Sequence, residues 1–177
     1  MFELNGYAAI VTGGARGIGR AIAVALADAG ADVLITYKGN TAAADAVVAE
    51  ITAKGRKAIA MQADAADPDA AVAVVAKAIE AFGKVDLLVN NAGVAAMNAL
   101  LLTPPEVAAE LMRVNYLGTF HCLQAAGKAM VRARRGRILN VTTVAVPLAL
   151  EGEAAYVASK AAVEALTRVA ARELGPH

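Results

Sequence analysis

The sequence predicts an α/β fold: a parallel sheet with helices covering both faces. Three observations carry that prediction. Short apolar runs rich in Val, Ile and Leu alternate along the chain with longer segments of helical periodicity. The runs are apolar throughout rather than alternating, as expected of strands buried on both faces. Gly and Pro stand where the helical segments stop and start. No Pro/Gly/Ser-rich linker divides residues 1–177, so a single domain is expected.

Tyr7 to Val11 reads as the first strand and Gly19 to Ala29 as the first helix, with Gly30 as its left-handed terminator. Between them the run Ala8-Ala9-Ile10-Val11 meets Gly13, Gly17 and Gly19, a strand, a glycine turn and a helix start. Such glycines let the backbone turn tightly and approach a ligand closely, and the helix N-terminus favours a pyrophosphate. An ordinary glycine-rich turn would use the same residues, so spacing alone leaves both readings open. Asp32 to Tyr37 is the second strand, and Lys38-Gly39-Asn40 a turn. Thr41 is expected to cap a helix reaching about Lys54, before Gly55. Lys57 to Gln62 is the third strand.

Asp67 and Pro68 have the N-cap and first-turn pattern of a helix that ends near Phe82-Gly83. Val85 to Val89 is the fourth strand and runs into Asn90-Asn91-Ala92-Gly93. Thr103-Pro104 opens a long helix to about Arg132, with Gly118 and Gly127 inside it as points of weakness. Gly136 to Thr142 holds the fifth strand. A loop through Pro147 and Gly152 leads to a last helix from Glu153 to Leu174, which Gly175-Pro176 ends.

Composition narrows the function. A chain of 177 residues, 58% hydrophobic and 19% charged, suits one sizeable core. A net charge of +1 gives nucleic-acid binding no support. Arg132, Arg134, Arg135 and Arg137 form the densest basic run, read as a cationic helix end leading into a strand. Cys122 is the sole cysteine, which excludes an intramolecular disulfide, and is expected to be a small core hydrophobe. His121 and His177 make no metal cluster, so no metal is expected. With no signal-like segment and no long uncharged apolar run, a cytoplasmic protein without a membrane partner is expected.

Thr12-Gly13-Gly14-Ala15-Arg16-Gly17-Ile18-Gly19 is followed by Asn90-Asn91-Ala92-Gly93, Asn115 and Tyr156-Val157-Ala158-Ser159-Lys160. Together these motifs resemble the short-chain dehydrogenase/reductase family, and within it the 3-oxoacyl-carrier-protein reductases and the sugar or polyol dehydrogenases. The resemblance implies a Rossmann-like, doubly wound, three-layer fold with strand order 3-2-1-4-5. It also implies a sixth and a seventh strand that this chain lacks. A C-terminally truncated chain with an open fifth-strand edge is therefore expected.

Tyr156 and Lys160 stand one helical turn apart on one face of the last helix. A tyrosine hydroxyl parts with its proton reluctantly at neutral pH, and a nearby ammonium eases that step. Taken alone, the pair would read as a surface Tyr and Lys. The resemblance implies catalytic roles for Asn115, Thr143, Tyr156 and Lys160. Thr143 stands where the family usually has serine; it keeps the hydroxyl but adds a methyl group. Asn115 is implied to support an ordered water beside the lysine, through a local break in helix geometry.

The implied cofactor set is Gly13, Arg16, Gly17, Ile18, Gly19, Tyr37, Lys38, Asp64, Asn91, Ala92 and Gly93, with Tyr156 and Lys160. Lys160 is implied to hold the nicotinamide ribose and Asp64 the adenine amino group, while Asn90 steadies the central sheet. An NAD site commonly ends the second strand with an acid. Here Thr36-Tyr37-Lys38 stands there, and Arg16 and Lys38 are suited to a 2′-phosphate. NADP(H) is thus the expected cofactor, with NAD(H) as runner-up.

The expected reaction interconverts a carbonyl and a secondary alcohol, on a small-molecule or thioester-bound substrate. The long fourth helix and the last helix resemble surfaces through which relatives form homodimers or homotetramers. Thr143 and the missing strands leave a second reading: a dinucleotide-binding protein with little or no catalysis, structural or regulatory.

Overall fold

A computed structural model describes residues 3–176; Met1 and Phe2, where the expected lead-in starts, and His177 lie outside the described residues. The strands are β1 (Ala8–Val11), β2 (Asp32–Tyr37), β3 (Ala58–Gln62), β4 (Leu87–Asn90) and β5 (Arg137–Asn140). The helices are α1 (Gly17–Asp28), α2 (Thr41–Ala53), α3 (Pro68–Phe82), α4 (Pro105–Leu111), α5 (Gly118–Ala133), α6 (Ala145–Leu148) and α7 (Ala154–Leu174). A 3₁₀ turn at Leu100–Leu102 precedes α4, and a π-helical turn at Met112–Leu117 joins α4 to α5.

All strands are parallel, in the order β3-β2-β1-β4-β5, as expected. Side chains alternate across the sheet, which sorts the core into two layers. Ala9, Val11, Val33, Ile35 and Val89 pack with Ala23 and Ala27 of α1 and with Val47 and Ile51 of α2. Ile10, Leu34 and Leu88 pack on the other face with Val74 and Ala78 of α3 and with Cys122, Ala126 and Met130 of α5. Helix α7 lies against α5, the π turn and β5. Burial pushes the Cys122 thiol up to about 11, in keeping with a core hydrophobe rather than a nucleophile.

Local signals act where the sequence puts them. Asp67 Oδ1 accepts from the Asp69 N–H at 2.9 Å, Pro68 opens α3, and Gly83 ends it at φ +79°. Helix α2 departs from expectation. Asn40, not Thr41, is the cap, its Oδ1 accepting from the Ala43 N–H at 3.0 Å. Asn40 has non-helical backbone angles, so its side chain can fold over the helix end, while Thr41 is already inside. The expected loop between β5 and the last helix contains α6. Pro147 is tolerated there because a first-turn residue has no intrahelical partner for its N–H.

The predicted long helix is continuous but changes geometry at Met112–Leu117. Gly118 marks the reason for its own presence: a Cβ there would lie 2.8 Å from the Ala65 carbonyl oxygen. The basic run is split as predicted. Arg132 lies in the last turn of α5, Arg134 closes it in the left-handed region, and Arg137 starts β5.

Arg135 has a separate partner. Asp86 is buried at the N-terminal end of β4; one oxygen accepts from the Ala8 N–H at 2.9 Å and faces Lys84 at 3.1 Å. The other meets Arg135 at 2.6 Å, so a single carboxylate ties the starts of β1 and β4 to the turn before β5. Both cations also lie over the Tyr7 ring, at 6.0 and 5.7 Å from its centroid. Asp86→Ala should lower unfolding stability by about 2–4 kcal/mol, because an N–H bond and two ion pairs go together. Urea denaturation giving a loss below about 0.5 kcal/mol would show that Asp86 does not join these strands.

Candidate active site

The turn after β1 is held from outside itself. Thr12 Oγ1 accepts from the N–H groups of Asn91 and Ala92, each at 3.0 Å. Asn91 Nδ2 donates back to the carbonyls of Thr12 and Gly13, at 2.9 and 3.2 Å. From β2, Thr36 Oγ1 accepts from the Gly13 N–H at 3.2 Å, and its carbonyl accepts from Gly14 at 2.9 Å. Gly13 lies at φ +65°, where a side chain would be strained. A Cβ on Gly19 would overlap the Gly13 carbonyl, so α1 starts as close to the turn as glycine permits.

This turn opens on a cleft of about 630 Å³ at the C-terminal ends of the strands. Gly13, Arg16, Gly17, Ile18, Gly19, Tyr37, Lys38, Asp64, Asn91, Ala92 and Gly93 all line it; Tyr156 and Lys160 do not. Helix α1 has no side-chain cap at Arg16 and no acid in its first turn. Its leading N–H groups are therefore left to the cleft, which suits an anionic group. The end of β2 carries no carboxylate, and Lys38 and Arg16 stand nearby on the same lining. These features fit a pyrophosphate-bearing dinucleotide, and the volume suits a ligand of that size.

Next to the cleft lies a polar group built between the π turn and α7. Asn115 is fully buried; its Oδ1 accepts from the Val94 N–H at 2.8 Å. Its Nδ2 donates to the Val94 carbonyl and to Ser159 Oγ, both at 2.9 Å. Ser159 Oγ donates in turn to the Tyr156 carbonyl at 2.7 Å. Lys160 Nζ donates to the Val141 carbonyl at 2.8 Å, beyond the end of β5. Gly93 closes the group: a Cβ there would lie 3.0 Å from Asn115 Oδ1 and 3.4 Å from Lys160 Nζ. Half-buried Thr143 stands in the loop before α6, its Oγ1 accepting from the Ala145 N–H at 3.2 Å.

The structure brings Asn115, Gly93 and Lys160 together, but the ammonium of Lys160 is bonded to Val141 rather than to Tyr156. Three residues of the sequence motifs have roles that the motifs themselves do not assign. Thr12 and Thr36 fasten the glycine turn, and Ser159 joins Asn115 to Tyr156. Spacing carries little sign of these roles, since each hydroxyl accepts from a donor far away along the chain. Asn90 steadies the sheet as expected, donating to Asn140 Oδ1 at 2.8 Å. Asn140 passes the link to Thr167 of α7, also at 2.8 Å.

A parallel sheet of this order, with a glycine turn at its crevice and a buried Asn–Ser–Lys group beside it, defines a class of nucleotide-binding α/β proteins. The chain belongs to the short chain dehydrogenase family, whose family model matches residues 7–177. It is 43% identical over 166 residues to the 3-oxoacyl-acyl-carrier-protein reductase FabG of Staphylococcus aureus, covering 94% of this chain and 68% of that one. A short chain dehydrogenase from Burkholderia cenocepacia, solved in complex with NADP, superposes with a TM-score of 0.91 at 43% identity; the match covers 98% of this chain and 71% of that one. An NAD⁺-bound xylitol dehydrogenase superposes with a TM-score of 0.93 at 34% identity, covering 97% and 66%. Among the described residues no helix is long and apolar enough to cross a membrane.

Burial pushes the pKa of Lys160 below its ordinary value. Between the folded value and the unfolded value of about 10.4, the unfolded chain then holds more protons at this site, so stability rises with pH. The stability of the unmodified chain minus that of Lys160→Met should therefore increase as the pH is raised toward about 10.4. Taking the difference cancels the opposing titration of Cys122. A difference, read from urea denaturation of the two proteins, that stays level or falls as the pH is raised would contradict a desolvated ammonium.

Proposed function

We propose that residues 1–177 form a single dinucleotide-binding unit of an NADP(H)-dependent oxidoreductase that interconverts a carbonyl and a secondary alcohol. The observation that carries the reading is the meeting, at Gly93, of the cleft lining with buried Asn115 and Lys160. When bound, the nicotinamide supplies or accepts the hydride. The glycine turn and the α1 N-terminus hold the pyrophosphate, and Asp64 receives the adenine amino group. Arg16 and Lys38, with no acid at the end of β2, favour the 2′-phosphate. The relative solved with NADP supports that choice, and the one bound to NAD⁺ keeps NAD(H) as the second reading.

In the reductive direction Thr143 holds the carbonyl oxygen by its hydroxyl and Tyr156 gives that oxygen its proton. Lys160 donates one N–H to Val141 and keeps others for the nicotinamide ribose, while its charge eases proton loss from Tyr156. Both Nδ2 hydrogens of Asn115 have protein partners. Support for an ordered water therefore falls to its oxygens, and the side chain fixes the loop after β4 to α7.

A 3-oxoacyl thioester is the substrate class supported by the 43% identical reductase. Met97, Leu100, Leu101, Val144 and Leu148 are exposed on the segments that follow β4 and β5. The Asn98 N–H joins those segments through the Gly152 carbonyl at 2.8 Å, and their apolar surface suits an acyl chain. The surfaces of α5 and α7 are the proposed sites of homodimer or homotetramer formation.

NADPH should drive reduction of a 3-oxoacyl thioester with a higher kcat/KM than NADH. Tyr156→Phe should cut kcat at least about 100-fold, with the Kd for NADPH within about twofold of the unmodified chain. Undiminished turnover would remove Tyr156 from the reaction. NADPH binding without turnover on a broad carbonyl panel would favour a binding protein with little catalysis. Arg16→Ala should raise KM for NADPH more than for NADH, and an equal rise would remove Arg16 from 2′-phosphate recognition.

A further inference from the structure

At the end of the cleft, Asp64 stands between two cations that come from different layers of the fold. Its Oδ1 accepts from the Ala66 N–H at 3.0 Å. Its Oδ2 faces Lys38 Nζ at 3.2 Å and Arg113 Nη2 at 3.5 Å. Lys38 and Asp64 line the cleft, whereas Arg113, on the π turn, lies outside its lining. Arg113 is held on Glu110 by two bonds, Nε at 2.6 Å and Nη2 at 2.9 Å. The Ala66 N–H, and then Lys38 and Arg113, hold the Asp64 carboxyl below its usual range, so it is an anion at neutral pH.

That arrangement poses a problem for a 2′-phosphate. Lys38 is the cation suited to receive it, yet Lys38 is already paired with a carboxylate on the same wall. With no second cation, drawing the lysine away would leave Asp64 unpaired beside a dianion, which is unfavourable even at high dielectric. A ribose bearing a 2′-hydroxyl makes no such demand.

We propose that Arg113 is a positioning residue for cofactor discrimination: by sharing Asp64, it frees Lys38 to turn to the 2′-phosphate while the carboxylate stays paired. This rests on the reading of the cleft as a dinucleotide site. The effect runs through Asp64 and not through contact with the nucleotide. Because the ion pairs are partly exposed, the expected effect is modest, about two- to fivefold in relative affinity, and it shrinks with added salt.

Equilibrium titration of NADPH and of NADH, followed by nicotinamide fluorescence on the full chain at low salt, tests this. Arg113→Met should lower the ratio of NADPH to NADH affinity by about two- to fivefold. Arg113→Lys, which retains the charge, should recover most of the ratio. In an Asp64→Asn background, Arg113→Met should leave the ratio unmoved, since there is no carboxylate left to share. An unchanged ratio in Arg113→Met would overturn the inference. So would an equal fall in the Asp64→Asn background, which is the mark of a long-range charge effect. If the unmodified chain binds neither nucleotide, the cofactor reading itself fails, a result distinct from binding with an unaltered ratio.

Discussion

A turn that offers its backbone N–H groups to a ligand cannot use them to hold its own shape. That constraint governs the site. The segment after β1 is fixed by groups borrowed from both neighbours, Thr36 at the end of β2 and Asn91 after β4, with Thr12 completing the exchange. Such borrowing requires β2 and β4 to flank β1 with their ends level, which the parallel 3-2-1-4-5 order supplies. Strand order, usually described as topology, is here the condition under which a glycine turn can be both ordered and open.

The same logic extends to α7. Asn90 bonds Asn140, Asn140 bonds Thr167, and Lys160 bonds Val141, so the last helix is fastened to the ends of β4 and β5. Ser159 and Asn115 then fasten it to the π turn. Tyr156 has its backbone carbonyl inside that network while its side chain is only half-buried. The backbone of Tyr156 is thus fixed from two sides of the fold.

Local chemistry made much of this legible in the sequence. Asp67-Pro68 and Gly83 bound α3 because caps and left-handed residues act within one turn of chain. The glycines and Asn91 reach the cleft because each of their two motifs directly follows a strand, β1 or β4. Asn40 displaced Thr41 as a cap for a reason of one residue's backbone angles, and α6 was too short to show periodicity. What stayed hidden was long-range polar pairing: Lys160 with Val141, Ser159 with Asn115, Asp64 with Arg113. Spacing carries no record of such pairs, since each forms only after separate layers have docked.

The wide turn at Met112–Leu117 has an effect beyond placing Asn115. A π turn holds an extra residue relative to the α-helix, and in an α-helix each residue advances the azimuth by about 100°. The segment therefore acts as a phase shifter. Before it, α4 packs against α7; after it, Cys122, Ala126 and Met130 are aimed at α3 and the sheet, while α5 also touches α7. One continuous helical stretch thus meets α7, α3 and the sheet. The buried asparagine and the azimuth of all of α5 are set by the same irregular turn, so the site and one half of the core share a single geometric origin.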